Sequence, residues 1–277
     1  MFSINCRGRL LSLARPVVMG IINTNSDSFH KNNRKPEVAE AVALAGKMLS
    51  EGAAIIDIGG QSTTPASTLY TAAEELRRVM PVLEGILHHY PDAVISIDTF
   101  YAEVAAQTLK NGASIINDIS GGMMDEKMIK TVAEYKAPYI VMHMKGTPQT
   151  MQSLASYTNI TREVLDYFIQ RIDLCRKAGL EDIIVDPGYG FAKTKEHNFE
   201  LLKNSEVFTI LEKPILTGIS RKSMIYKTLG VTAGEALNGT TVLNTIALQK
   251  GTNILRVHDV KEAVETIQLM ERLNTIP

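Results

Sequence analysis

An apolar run, a polar residue at its carboxyl end, then glycine, serine or threonine, then a stretch of helical period: this unit recurs eight times along the chain. The runs are Val17 to Asn23, Ile55 to Gly60, Val94 to Thr99, Ile115 to Asp118, Tyr139 to Lys145, Ile183 to Asp186, Ile215 to Lys222 and Ile254 to Asp259. Ile183-Ile184-Val185 shows no alternation of apolar and polar residues, which describes a strand buried on both faces and hence a parallel sheet covered by helices. Helical segments lie between the runs, among them Glu37 to Leu49, Ala72 to His88, Ala102 to Lys110, Lys127 to Tyr135, Arg162 to Ala178 and Leu237 to Gln249. Eight strand-then-helix units predict an α/β chain folded as a (β/α)8 barrel of the TIM type, with its chemistry at the carboxyl ends of the strands.

The length agrees with this. The 277 residues are close to the roughly 250 usual for such a barrel, and no linker interrupts them, so 1–277 reads as a single domain. Phe2 to Cys6 and Leu10 to Leu13, around Arg7-Gly8-Arg9, predict a short N-terminal β-hairpin that closes the bottom of the barrel. The apolar part of this segment is too short, and too interrupted by Ser12, for a signal sequence. No apolar stretch approaches the roughly 20 residues of a membrane span. Basic and acidic residues number 29 and 30, with no basic run interleaved with aromatics, which argues against nucleic acid as a partner. Cys6 and Cys175 lie far apart without CxxC spacing, so neither a disulfide framework nor a zinc site is indicated, and a reducing cytoplasm fits.

The strand ends carry the candidate chemistry. Asp186 precedes Pro187, Gly188 and Gly190, so the chain leaves that strand through a tight non-helical turn. Two roles fit Asn23, a metal ligand through its side-chain oxygen or a turn residue in the polar stretch that follows. Gly59-Gly60-Gln61-Ser62-Thr63-Thr64 allows close backbone approach and offers hydroxyls to an anion. Asp98, Asn117 and Asp118 add carboxylates and an amide, although Asp98 or Thr99 can also cap the helix from Ala102. Met142 and Met144 point one way, either as a flat wall for a heteroaromatic ring or as core filling. Arg221 and Lys222 follow one strand directly, and Arg256 and His258 share a face of the last. Acceptors on one side and cations on the other imply a substrate with ring N–H and amino groups at one end and phosphate at the other.

In nine ordered blocks the chain resembles dihydropteroate synthases over nearly its full length: Met19 to Asn23 with Asp27-Ser28-Phe29, Ile56 to Gly60, Ser62-Thr63 with Pro65, Ser96 to Thr99, Asn117 to Gly122, Met142 to Met144, Asp186 to Gly188 with Gly190-Phe191, Gly218 with Ser220 to Lys222, and Arg256 to Asp259. The resemblance implies a transferase that joins 4-aminobenzoate to 6-hydroxymethyl-7,8-dihydropterin diphosphate in folate biosynthesis, a sulfonamide target and a homodimer. It implies that Asp98, Asn117, Met142, Asp186, Phe191, Gly218 and Lys222 bind the pterin. Asn23, Thr63, Arg256 and His258 would hold the diphosphate, with Mg2+ at Asn23, while Phe29, Pro65, Ser220 and Lys222 would receive the aminobenzoate. Asp27, Asp98, Lys222, Arg256 and His258 are implied as catalytic. The chain departs from the family pattern in its first two loops, where Asn25 and Ser26 replace Thr-Pro and Gln61, Thr64 and Ala66 replace Glu, Arg and Gly. Those departures keep a second reading open, a pterin-binding paralogue with weak or no synthase activity. A third, a methyltetrahydrofolate-dependent methyltransferase, shares fewer of the blocks.

Overall fold

The computed structural model describes residues 2–24, 35–61 and 69–275. Its first two strands, β1 (Ser3–Cys6) and β2 (Arg9–Ser12), form the antiparallel hairpin. The turn between them needs only Arg7 and Gly8, both in the left-handed region (φ 57° and 83°), which is the geometry that matches strand twist. The strands of the barrel follow as β3 (Val17–Asn23), β4 (Ile55–Gly59), β5 (Ile95–Asp98), β6 (Ile115–Asp118), β7 (Tyr139–Met142), β8 (Ile183–Asp186), β9 (Leu216–Thr217) and β10 (Ile254–Val257). They pair in parallel in the order β8-β7-β6-β5-β4-β3-β10-β9, and a bridge from Val185 to Ile215 joins the two ends. The expected (β/α)8 barrel with its hairpin is therefore the observed fold.

The helices on the outside are α1 (Lys35–Ser50), α2 (Ala72–His89), α3 (Ala102–Lys110), α4 (Met128–Glu134), α5 (Ile160–Lys177), α6 (Lys195–Lys203), α7 (Ser223–Leu229), α8 (Leu237–Gln249) and α9 (Val260–Asn274). Local chemistry sets several of their starts. Thr71 and Glu74 form a capping box on α2, and Asn159 accepts from the Arg162 amide at the head of α5. The seventh barrel strand is much shorter than the run Ile215 to Lys222 suggested. The Lys222 amide already donates to Ile219 O, and Arg221 is in the left-handed region (φ 56°), so the chain turns before Ser220 can extend the strand.

Period two along the strands sorts the core into layers. Val18, Ile56, Ile97, Ile116, Val141, Val185 and Leu255 face outward into the cluster shared with the helices. Met19, Ile55, Val94, Ile115, Ile140, Ile184, Leu216 and Ile254 face inward and pack with Ile4, Cys6 and Leu13 of the hairpin segment. Burying Ile4 and Leu13 contributes about 1.5–3 kcal/mol each, and the barrel is plugged at its amino-terminal end. Two residues further along each strand, the inward positions become Ile21, Asp57, Ser96, Asn117, Met142, Asp186, Gly218 and Arg256. The layer that closes the floor is apolar; the layer resting on it is where polar chemistry begins.

Candidate active site

This second layer and the one above it line a cavity of about 450 Å³ at the carboxyl ends of the strands. Its walls include Asn23, Asp98, Asn117, Met142, Asp186, Phe191, Gly218, Ser220, Lys222, Arg256 and His258, together with Ile21, Ile119, Gln61 and Arg221. A somewhat larger groove, about 580 Å³, lies at the opposite end beside Arg7 and Arg9 of the hairpin. It has none of the convergent acceptors, so the chemistry belongs to the carboxyl end.

Arg256 is the hub of the polar layer. Its Nε donates to Asp57 Oδ2 at 2.6 Å and its Nη2 to Asp98 Oδ2 at 2.7 Å, while Asn117 Nδ2 donates to the same Asp57 oxygen at 3.1 Å. Asp57 is fully buried and its Oδ1 has no partner among the described residues. One guanidinium is thus shared between two carboxylates. Burial pushes the Asp98 carboxyl up to about 7, against the lowering effect of Arg256 and with Asp57 and Asp118 adding to the rise. Asp57 was not among the residues picked out in the sequence. Its signal was there, since it stands in phase with Gly59 on an otherwise apolar strand.

Asp186 closes the other side. Its Oδ1 accepts from the Gly188 amide at 2.8 Å, which leaves Oδ2 to face the cavity. Burial raises its pKa, and Lys222 is the main opposing charge. Lys222 donates to Tyr189 O at 2.5 Å and lies 4.9 Å from the Phe191 ring centroid. Burial brings its ammonium down to about 8.

The turn that carries Asp186 and Phe191 is held by a residue that sequence reasoning missed. Lys193, wholly enclosed, donates to Gly188 O and Phe191 O, each at 2.9 Å, and meets His143 Nδ1 at 3.0 Å. Burial depresses both Lys193 and His143 well below their ordinary values. The signal available was a lysine inside Phe-Ala-Lys-Thr, in a turn too tight for it to reach water. Gly188 is the tightest point of this turn (φ 69°), and a Cβ there would stand 2.2 Å from His143 O. Gly188→Ala is therefore expected to destabilise the fold by about 3 kcal/mol or more, read as a loss of thermal midpoint, because strained backbone and a backbone clash coincide.

His258 and Ser220 form a pair at the rim. Ser220 Oγ accepts from the His258 amide at 3.2 Å and stands 3.0 Å from Nδ1. When the Ser220 hydroxyl donates to Nδ1, the proton of a neutral imidazole lies on Nε2. Burial, reinforced by Arg256, lowers the His258 pKa and favours that neutral form.

Two expectations about the mouth change. Asp118 does not face it: both its oxygens are used inside the wall, Oδ1 by the Ser120 amide and hydroxyl and Oδ2 by the Gly122 amide and Tyr139 hydroxyl. It stabilises the turn after β6. Arg221 borders the cavity, but its guanidinium is bound to both oxygens of Asp259 at 2.8 Å and to Ala233 O and Gly234 O, so it is not a cation available to an anion. Asn23 stands at the rim, exposed, at the end of β3. No group of three His, Cys, Asp or Glu side chains able to hold a metal occurs among the described residues. Met142 joins Phe100, Ile119 and Met144 in one buried cluster with Phe191 against it, so wall and core filling are the same feature. Asp27, Phe29, Thr63 and Pro65, with the altered positions Asn25, Ser26, Thr64 and Ala66, lie outside the described residues.

Residues 19–258 match the family model for pterin-binding enzymes. The dihydropteroate synthase of Escherichia coli K12 is 41% identical over 267 residues, covering 96% of this chain and 94% of its own. The chain belongs to the dihydropteroate synthase family. Solved synthase structures agree: that of Yersinia pestis in a sulfonamide drug complex superposes with a TM-score of 0.93 at 36% identity, covering 99% of this chain and all (100%) of the other. That of Xanthomonas albilineans with 4-aminobenzoic acid gives 0.91 at 34% identity, with 99% of each chain covered. The acceptors Asp98, Asn117 and Asp186 and the donors Lys222, Arg256 and His258 all line the one cavity described above.

Proposed function

We propose that this cavity condenses 6-hydroxymethyl-7,8-dihydropterin diphosphate with 4-aminobenzoate, giving 7,8-dihydropteroate and diphosphate. The observation that carries the reading is the convergence, within one cavity, of the acceptors Asp98, Asn117 and Asp186 and the donors Lys222, Arg256 and His258, with Met142 and Phe191 in the same lining. Acceptors at the floor suit the ring N–H and amino groups of a pterin lying against Met142 and Phe191, and Gly218 leaves room for its edge. Arg256 keeps Nη1 free of partners among the described residues, and the neutral His258 offers Nε2–H, so the two can hold the leaving diphosphate.

In the reaction the bond between the pterin methylene and the diphosphate oxygen breaks, and its electron pair leaves with the diphosphate. The aminobenzoate nitrogen then bonds to the methylene and gives up a proton. What this chain's residues do is stabilise charge on the leaving group through Arg256 and His258, and hold the ring that shares the methylene's positive charge through Asp98, Asn117 and Asp186. Ser220 and Lys222, in the same cavity lining, are assigned to the incoming aminobenzoate. Asn23, a lone side-chain oxygen at the rim, suits a Mg2+ ion carried mainly by phosphate oxygens, whose chemistry is to neutralise the diphosphate.

The roles of Asp27, Thr63, Phe29 and Pro65 remain part of the proposal, as does the reading of 1–277 as one pterin-binding domain. So does a homodimer, supported by exposed apolar side chains on consecutive helices, Leu229, Val242, Leu269 and Leu273. A cytoplasmic setting is supported by two free, buried cysteines. Among the described residues no helix is long and apolar enough to cross a membrane. The deciding assay is formation of 7,8-dihydropteroate, with diphosphate release followed in the presence and absence of 4-aminobenzoate. Release that depends on the amine supports a synthase; tight pterin binding without product would make the chain a pterin-binding paralogue.

A further inference from the structure

Gln61 lines the cavity at its rim, two residues beyond the end of the polar layer on β4, and its side chain is almost fully enclosed. The carboxamide makes a reciprocal pair with a residue nine positions away: Oε1 accepts from the Tyr70 amide at 3.0 Å and Nε2 donates to Tyr70 O at 2.9 Å. Nε2 also donates to Oε2 of the buried Glu75 at 2.6 Å. Only an amide can accept in one direction and donate twice in the other from the same planar group. The backbone at residue 70 is gripped further, since the Tyr101 hydroxyl donates to Tyr70 O at 3.0 Å and the Arg78 guanidinium lies 3.8 Å from the Tyr70 ring centroid. Leu69, next to the clamped residue, packs on the cluster of Phe100, Ile119 and Met142, with Phe191 on the same cluster. Ile119, Met142 and Phe191 line the cavity.

We propose that Gln61 is a positioning residue for the synthase reaction: its carboxamide clamps residue 70 to the end of β4, seats Leu69 against the cavity wall, and thereby fixes the outer side of the site for the incoming amine. The proposal rests on the synthase reading. The second substrate approaches from the rim, whereas the acceptors assigned to the pterin lie deeper, at Asn117 and Asp186. Loss of the clamp therefore acts on aminobenzoate use and spares the pterin.

The test uses Gln61→Met, similar in size but unable to make any of the three bonds, and Gln61→Glu, which keeps the acceptor for the Tyr70 amide and loses both donors. Amide hydrogen exchange of the unliganded protein is expected to accelerate at Tyr70 by about tenfold in Gln61→Met, a readout independent of activity. The KM for 4-aminobenzoate is expected to rise about fivefold to thirtyfold in Gln61→Met, with at least as large a rise in Gln61→Glu, whose second oxygen would face Tyr70 O and Glu75 Oε2, while pterin diphosphate affinity measured by calorimetry stays within about twofold. Faster exchange with unchanged KM in both variants would leave the clamp a purely structural feature and overturn the proposal; unchanged exchange would overturn the clamp itself. Should the unaltered protein form no dihydropteroate, the synthase reading falls, and the exchange result still decides whether the clamp exists.

Discussion

Arg256→Met is expected to lower the thermal midpoint by about 6–20 °C. The substitution keeps much of the side chain's apolar volume but leaves Asp57 and Asp98 facing each other without their shared guanidinium. Removing one partner of a buried ion pair costs about 3–5 kcal/mol, and for a protein of this size each kcal/mol moves the midpoint by about 2–4 °C. The pH dependence separates lost charge from lost packing. The Asp98 carboxyl is already up at about 7 in the folded protein, above the roughly 3.9 of an unfolded chain. A carboxyl raised in this sense contributes stability that is fully present below the unfolded value and is lost as pH rises through the folded value. Without Arg256 that loss should deepen, so the deficit of the variant should be greatest above pH 7 and shrink as the pH falls toward about 4. A deficit independent of pH would mean that Arg256 acts by packing. In ligand binding, the same variant should lose far more affinity for the pterin diphosphate than for the free hydroxymethyl pterin, and equal losses would confine Arg256 to its structural duty.

That double duty explains what could and could not be read from the chain alone. The barrel was legible because each strand is a short apolar run ending in a polar residue, and the alternation within runs such as Ile254-Leu255-Arg256-Val257 already says which side chains enter the barrel. Asp98, Asn117, Asp186, Lys222, Arg256 and His258 all reach one cavity because all stand at strand ends in the same phase or in the turn just after. What the pattern could not supply is the partner of each charge. Asp57 is as well placed as Asp98, yet only the pairing across the barrel, from β10 to β4 and β5, shows that one arginine bonds both. Asp118 has the sequence context of a mouth residue, but the next residue after an inward one faces outward, and Tyr139, Ser120 and Gly122 take up both its oxygens. Arg221 read as a free cation, whereas Asp259, 38 residues away, occupies it. Lys193 went unnoticed because its role lies in backbone and ring acceptors that only the folded turn brings together.

The second large effect is expected at Asp186, and two substitutions divide its work. One oxygen caps the turn through the Gly188 amide and the other faces the cavity. Asp186→Ala removes both functions and should cost about 1–3 kcal/mol in pterin binding together with about 1 kcal/mol of stability from the lost turn bond. Asp186→Asn keeps an oxygen for Gly188 and turns the cavity side into an N–H donor, set against the ring N–H and amino groups of the pterin. Its thermal midpoint should stay near that of the unaltered protein, while its pterin affinity, measured by calorimetry, should fall at least as far as that of Asp186→Ala. The charge has a further consequence, because the ammonium of Lys222, brought down to about 8 by burial, is held up chiefly by Asp186. In Asp186→Asn that support is lost, and the alkaline limb of the kcat/KM profile should move to lower pH if Lys222 must be charged in the reaction. An Asp186→Asn protein that binds the pterin as well as the unaltered chain would take the acceptor role away from Asp186 and leave it as the cap of its turn.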